Sequence, residues 1–136
     1  MNKALFSQNG TCGYVLKSDY MRGLVPASRM VSVDIELISG SQIPKKPSGS
    51  KDIVDPYVTM ELWSTEVPSK SNKFLKTPIV KNNGLNPRWN TKGKFAMVKD
   101  EINILLVKVF DDDDTLLCWN AFPANCIRSG YRAIEM

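Results

Sequence analysis

The chain has 136 residues, 43% of them hydrophobic and 24% charged, with a net charge of +4 and no histidine. That balance suits one globular domain with a real core rather than a disordered chain; no apolar run is long enough to cross a bilayer as a helix. The missing histidine excludes, within this chain, any chemistry that needs an imidazole as acid, base or metal ligand.

Residues 1–24 read as a separate piece. NGTCG is turn-rich, GYVLKSDYMR is short and mixed, and GLVPASR has the composition of a linker. Nothing before Met30 carries enough apolar material to fold by itself, and no amphipathic helix is expected anywhere. From Met30 the pattern turns to β. In VSVDIELI, Val31, Val33, Ile35 and Leu37 alternate with polar residues, which marks a strand with one buried face. SGSQIPKKPSGSKD reads as a long loop. YVTMELW is a second strand with Val58, Met60 and Leu62 on one face, and STEVPSKSNK is a second polar loop.

FLKTPIVKN is a third candidate, and its Pro78 predicts an edge position or a bulge. NNGLNP is a turn signal, RWNTKGKFAM a fourth strand with a glycine interruption, and EINILLVKVF a fifth whose Leu105, Val107 and Val109 face inward. LLCWNAF and GYRAIEM bring the count to about seven. Several short strands joined by long polar loops predict an all-β antiparallel sandwich.

Charge is unevenly spread. Between Lys45 and Lys94, ten Lys and Arg face four acids, Asp52, Asp55, Glu61 and Glu66; then Asp111 to Asp114 reverse the sign. Four adjacent carboxylates repel one another by roughly 1 kcal/mol per neighbouring pair even when screened. A basic face beside an acidic cluster suggests an anionic surface and a cation as partners. The pI near 9.0 alone does not point to nucleic acid, because no groove-reading helix or stacking-aromatic motif accompanies it.

Loops at one end of a sandwich meet although distant in sequence. Three here carry hard oxygens: DIVDP, NNG and DDDD. Asp55, Asn82, Asp111 and Asp113 supply the ligand types calcium takes. In extended geometry Asp111 and Asp113 share a side, while Asp112 and Asp114 point elsewhere or rotate in to bridge a second ion. The lack of histidine and of paired cysteines favours Ca²⁺ over zinc. The plainer alternative is a solvated acidic turn balanced by lysines. Cys12, Cys118 and Cys126 have spacings that suit neither zinc nor a disulfide framework, which predicts thiols in a reducing compartment.

VSVDIELISGSQIPKK, DIVDPYVTMELW, KTPIVKNNGLNPRWN, LLVKVFDDDD and SGYRAI together resemble the C2 domain of eukaryotic phosphoinositide-specific phospholipase C, from about Met30 to Ile134. ALFSQNGTCGYVLKSDYMR resembles the end of the Y half of that enzyme's catalytic barrel. The resemblance implies residues 1–24 as a barrel tail, 25–30 as linker and 31–136 as a type II, eight-strand C2 sandwich that lacks its last strand, the whole being a fragment. It implies Ca²⁺ held by the carbonyl of Ile53 and the side chains of Asp55, Asn82, Asp111 and Asp113, with Asp52, Asp112 and Asp114 as further candidates. It also implies a cytoplasmic protein peripheral at the inner face of the plasma membrane. There Lys45, Lys46, Lys51 and Lys81 meet anionic phospholipid, each worth about 1 kcal/mol near the surface. The partners implied are that membrane and the catalytic barrel.

The family hydrolyses phosphatidylinositol 4,5-bisphosphate using histidines and a catalytic Ca²⁺, none of which lies in this stretch, so the chain alone is expected to be inert. The competing expectation is a calcium-independent C2-like scaffold for a protein partner. The segment after Asp113 is shorter than in animal relatives, and Leu5, Phe6, Tyr14, Val15 and Leu16 are expected to lack packing partners.

Overall fold

The computed structural model describes residues 2–6, 9–17, 19, 21–24, 29–46, 53–64, 74–99 and 102–136. Six strands are present among them: β1 Met30–Ser39, β2 Tyr57–Ser64, β3 Phe74–Lys76, β4 Arg88–Val98, β5 Asn103–Phe110 and β6 Leu116–Pro123. β1 and β4 form one antiparallel sheet; the other has the order β3-β2-β5-β6, also antiparallel.

The two sheets pack on the faces that the alternation marks. Val58, Met60 and Leu62 of β2 and Leu105, Val107 and Val109 of β5 meet Trp89, Phe95 and Met97 of β4 in one buried cluster. Val31, Val33, Ile35 and Leu37 of β1 pack against it while half-buried. The glycine interruption in β4 has a packing reason. A Cβ on Gly93 would stand 3.1 Å from the Leu75 methyl carbons, so the bare backbone there lets β3 approach across the sandwich.

Three elements differ from expectation. The strand at FLKTPIVKN stops at Lys76, on the sheet edge that Pro78 requires. The chain nevertheless keeps following β2: Thr77 N–H donates to the Val58 carbonyl at 2.9 Å and Val80 N–H to Pro56 at 3.1 Å. The Val58 N–H turns to the Thr77 hydroxyl at 2.9 Å instead of a backbone carbonyl, which ends the regular ladder.

GYRAIEM is not a strand. Its Tyr131 is exposed, the Glu135 carbonyl accepts the Asn120 side-chain amide at 2.5 Å, and no backbone ladder forms there among the described residues. Finally, Asn2–Phe6 is a short helix, α1, where none was expected. It lies on the outer face of the four-stranded sheet, where Ala4 is buried against Ile104 and Ala121 and Leu5 packs beside it. Leu5 therefore has partners, whereas Tyr14 and Leu16 stand largely in solvent. Cys12, Cys118 and Cys126 form no disulfide. No helix among the described residues is long and apolar enough to cross a membrane.

Candidate metal centre

Three loops meet at one end of the sandwich, and the hydrogen bonds between them run through the acidic side chains. The loop 53–56 leads into β2, and Trp89 of β4 fastens it by donating its indole N–H to the Pro56 carbonyl at 3.2 Å. The loop 81–87 lies directly on it. A Cβ at Gly84 would fall 2.3 Å from Val54 Cγ2, so only glycine permits this approach. Asn82 adopts a left-handed backbone, φ 52°, a conformation asparagine tolerates better than most residues. Its N–H donates to Asp55 Oδ1.

The third loop follows β5. Asp111 is 2% exposed and its Oδ1 accepts the Asp55 N–H at 2.6 Å. Asp112 and Asp113 form a turn closed by the Asp114 N–H on the Asp111 carbonyl at 3.0 Å, with Asp111 N–H bound to Thr115 at 2.9 Å. That turn overrides extended alternation, so Asp112 joins the cluster. One carboxylate oxygen from each of Asp111, Asp112 and Asp113 lies within 4.8 Å of the others. Asp114, at φ 63°, turns away and accepts the Tyr57 hydroxyl.

A lysine completes the arrangement. Lys46 Nζ stands 2.5 Å from Asp111 Oδ2 and 2.9 Å from Asp113 Oδ2. Burial alone raises the Asp111 pKa, but the Lys46 ammonium and the N–H groups of Asp55 and Asp112 outweigh it and hold the carboxyl below the usual range. Asp113 is held down to about 2, chiefly by Lys46 and then by hydrogen bonds from Thr115. Lys46 in turn is raised above the ordinary lysine value by the same two carboxylates. Tyr57 is pushed up to about 12 by burial and by its bond to Asp114.

Of the residues singled out in the sequence, the structure brings Asp55, the Asn82 backbone, Asp111 and Asp113 together, and adds Asp112. Ile53 is exposed beside them in sequence. Lys45 and Lys81 are exposed, while Lys51 and Asp52 lie outside the described residues. Lys46 does not stand free at the surface but is inserted among the carboxylates. Nothing in IPKKPSG distinguishes it from Lys45, so no sequence signal would have found it.

The donor set fits calcium. All ligand atoms are hard oxygens, and Ca–O distances of roughly 2.3–2.6 Å put opposed ligands up to about 5 Å apart, the span these carboxylates occupy.

A model of the C2 domain matches residues 31–121, and the chain belongs to that family. Its C2 region is similar to that of curated phosphatidylinositol 4,5-bisphosphate phosphodiesterases. The chain is 30% identical over 154 residues to the 1-phosphatidylinositol 4,5-bisphosphate phosphodiesterase of Dictyostelium discoideum, covering 100% of this chain and 19% of that protein. It is 30% identical over 148 residues to inactive phospholipase C-like protein 1 of Homo sapiens, covering 96% of this chain and 13% of the relative. The crystal structure of L. pealei PLC21 is similar with a TM-score of 0.71 and 26% identity, over 91% of this chain and 17% of that one. The chain thus spans only 19% or less of the length of these curated relatives.

Proposed function

We propose that the acidic end is a calcium-dependent membrane-docking tip, serving a phosphoinositide phospholipase C at the cytoplasmic face of the plasma membrane. Asp55, Asn82, Asp111 and Asp113 would hold the ion with the Ile53 carbonyl, and Asp112 adds an oxygen; Asp52 and Asp114 are outer candidates. The observation that carries this reading is Asp111, a buried carboxylate tied to the loop of Asp55 and flanked by two more carboxylates within one ion's reach. Lys46 brings one positive charge to a cluster of three carboxylates, so a net negative charge remains at the site for a cation to offset. Bound calcium would turn a repulsive tip toward neutral and let it approach anionic headgroups, with Lys45, Lys51 and Lys81 adding attraction. The remainder of the parent would supply the barrel and its hydrolysis of phosphatidylinositol 4,5-bisphosphate, with residues 1–24 as barrel tail, 25–30 as linker and 31–136 as the C2 unit. Sedimentation with phosphatidylserine vesicles, with and without Ca²⁺, tests the reading.

A second reading has its own support. Because Lys46 already pairs with both Asp111 and Asp113 and offsets part of their charge, a metal-independent scaffold in which the ammonium stands in for the ion is the second reading. Calorimetry separates them: heat on adding Ca²⁺ favours the first, and silence at millimolar Ca²⁺ the second.

A further inference from the structure

We propose that Lys46 is an exchangeable counter-ion: it occupies the acidic site in the metal-free domain, and calcium binds by displacing it, which sets the affinity and frees the ammonium toward the lipid. The inference rests on the calcium reading above and names how that site is regulated.

The geometry carries it. Lys46 Nζ sits within ion-pair distance of both Asp111 Oδ2 and Asp113 Oδ2, the two carboxylates on which the calcium reading depends most. Asp111 Oδ1 is already committed to the Asp55 N–H, so Oδ2 is the oxygen left for a cation, and the lysine holds it. An ammonium and a divalent ion cannot share that position, because like charges at such range repel strongly in a partly buried site.

The segment is built to let go. Gly40, Gln42 and Ile43 are fastened by their N–H groups to the carbonyls of Pro87, Leu85 and Gly84 at 2.8–2.9 Å. Ile43 also packs against the core. Beyond it, Pro44 and Lys45 are exposed, and among the described residues the ion pairs of Lys46 hold this arm to the site. Three residues reach roughly 10 Å when extended, enough to swing the ammonium out of the cluster without disturbing Ile43.

Two consequences follow. A site occupied by its own lysine is competent for calcium only in the fraction of molecules where the lysine is out, so the apparent dissociation constant is the intrinsic one divided by that fraction. And one exchange changes the tip twice: the single charge of the ammonium is replaced by the double charge of the ion, and the ammonium reappears on the lipid-facing side.

The test compares calcium binding by calorimetry in the wild-type chain and in Lys46→Met, which keeps the apolar stem and removes the charge. It is run at about 0.5 M ionic strength, where the Debye length is roughly 4 Å and general charge effects are screened. Lys46→Met is expected to bind Ca²⁺ about tenfold or more tightly. Binding by the variant alone would also support the inference. If both bind equally, or the variant more weakly, the exchange is overturned while the calcium reading stands; if neither binds, both fall. A second measurement needs only the wild-type chain. Mass spectrometry follows the rate at which an amine-reactive reagent modifies Lys46, and saturating Ca²⁺ is expected to raise that rate severalfold as the ion pair opens. An unchanged rate at saturation would overturn the exchange.

Discussion

The carboxylate of Asp111 accepts the backbone N–H of Asp55 across 56 positions of sequence. That one bond joins the exit of β5 to the entry of β2, two strands that are hydrogen-bonded neighbours in register from Tyr57 opposite Phe110. The sheet pairing brings the two loops to the same end, and the carboxylate fixes their separation. Lys46 and Asn82 then attach the other two loops to the same pair of residues.

Asp111→Asn keeps an acceptor for the Asp55 N–H but removes the charge facing Lys46. The metal-free domain is expected to lose about 1–2 kcal/mol, less than for a wholly orphaned buried charge, since Lys46 retains Asp113. Urea unfolding measures this, and calorimetry on the same variant should show no calcium heat.

Gly84→Ala tests the seating of the asparagine loop. The added methyl would meet the β-branched Val54, which is itself buried and cannot swing aside. The strain is expected to cost about 1–3 kcal/mol and to weaken calcium binding, because it pushes Asn82 away from Asp55. Thermal unfolding together with a calcium titration gives both effects.

Stability of the metal-free domain should depend on acid in a defined window. Asp111 and Asp113 have pKa values lowered in the fold, Asp113 to about 2 from an ordinary 3.8. A lowered carboxylate contributes stability that is fully present above the unfolded value and is lost as the pH falls through the folded one. The loss therefore falls between about pH 4 and pH 2, and Lys46→Met should flatten it. Unfolding midpoints of both chains across that window check the sign. At the alkaline end Tyr57, raised to about 12, contributes stability present below its ordinary value of 10.0 and lost as the pH rises through 12.

The chain by itself should release no inositol phosphate from phosphatidylinositol 4,5-bisphosphate, with or without Ca²⁺, since it has no imidazole for acid–base chemistry. A radiolabelled-lipid assay at high enzyme concentration checks this.

Much of this arrangement can be read in the residues because it obeys local rules. The period-two runs place β1, β2 and β5 and their inward faces, and NNGLNP marks a turn in which Asn82 takes the left-handed backbone. The C2 sandwich expected from the motifs is the fold observed. What could not be read depends on contacts between distant segments. Lys46 reaches Asp113 across 67 positions, and any of several nearby lysines could have done so. Asp112, which the resemblance offered only as a further candidate, enters the cluster because a turn replaces extended backbone. The α1 helix is too short to show periodicity and is held by the pocket that Ile104 and Ala121 leave for Ala4. GYRAIEM has apolar residues enough to suggest a strand, but no backbone among the described residues pairs with it.

The most direct test of the membrane role is co-sedimentation of the chain with phosphatidylserine vesicles at physiological salt, in Ca²⁺ and in EGTA, with Asp111→Asn alongside. The account predicts that the chain pellets with the vesicles in Ca²⁺, stays in the supernatant in EGTA, and that the variant stays behind in both. Equal pelleting in Ca²⁺ and EGTA would contradict it.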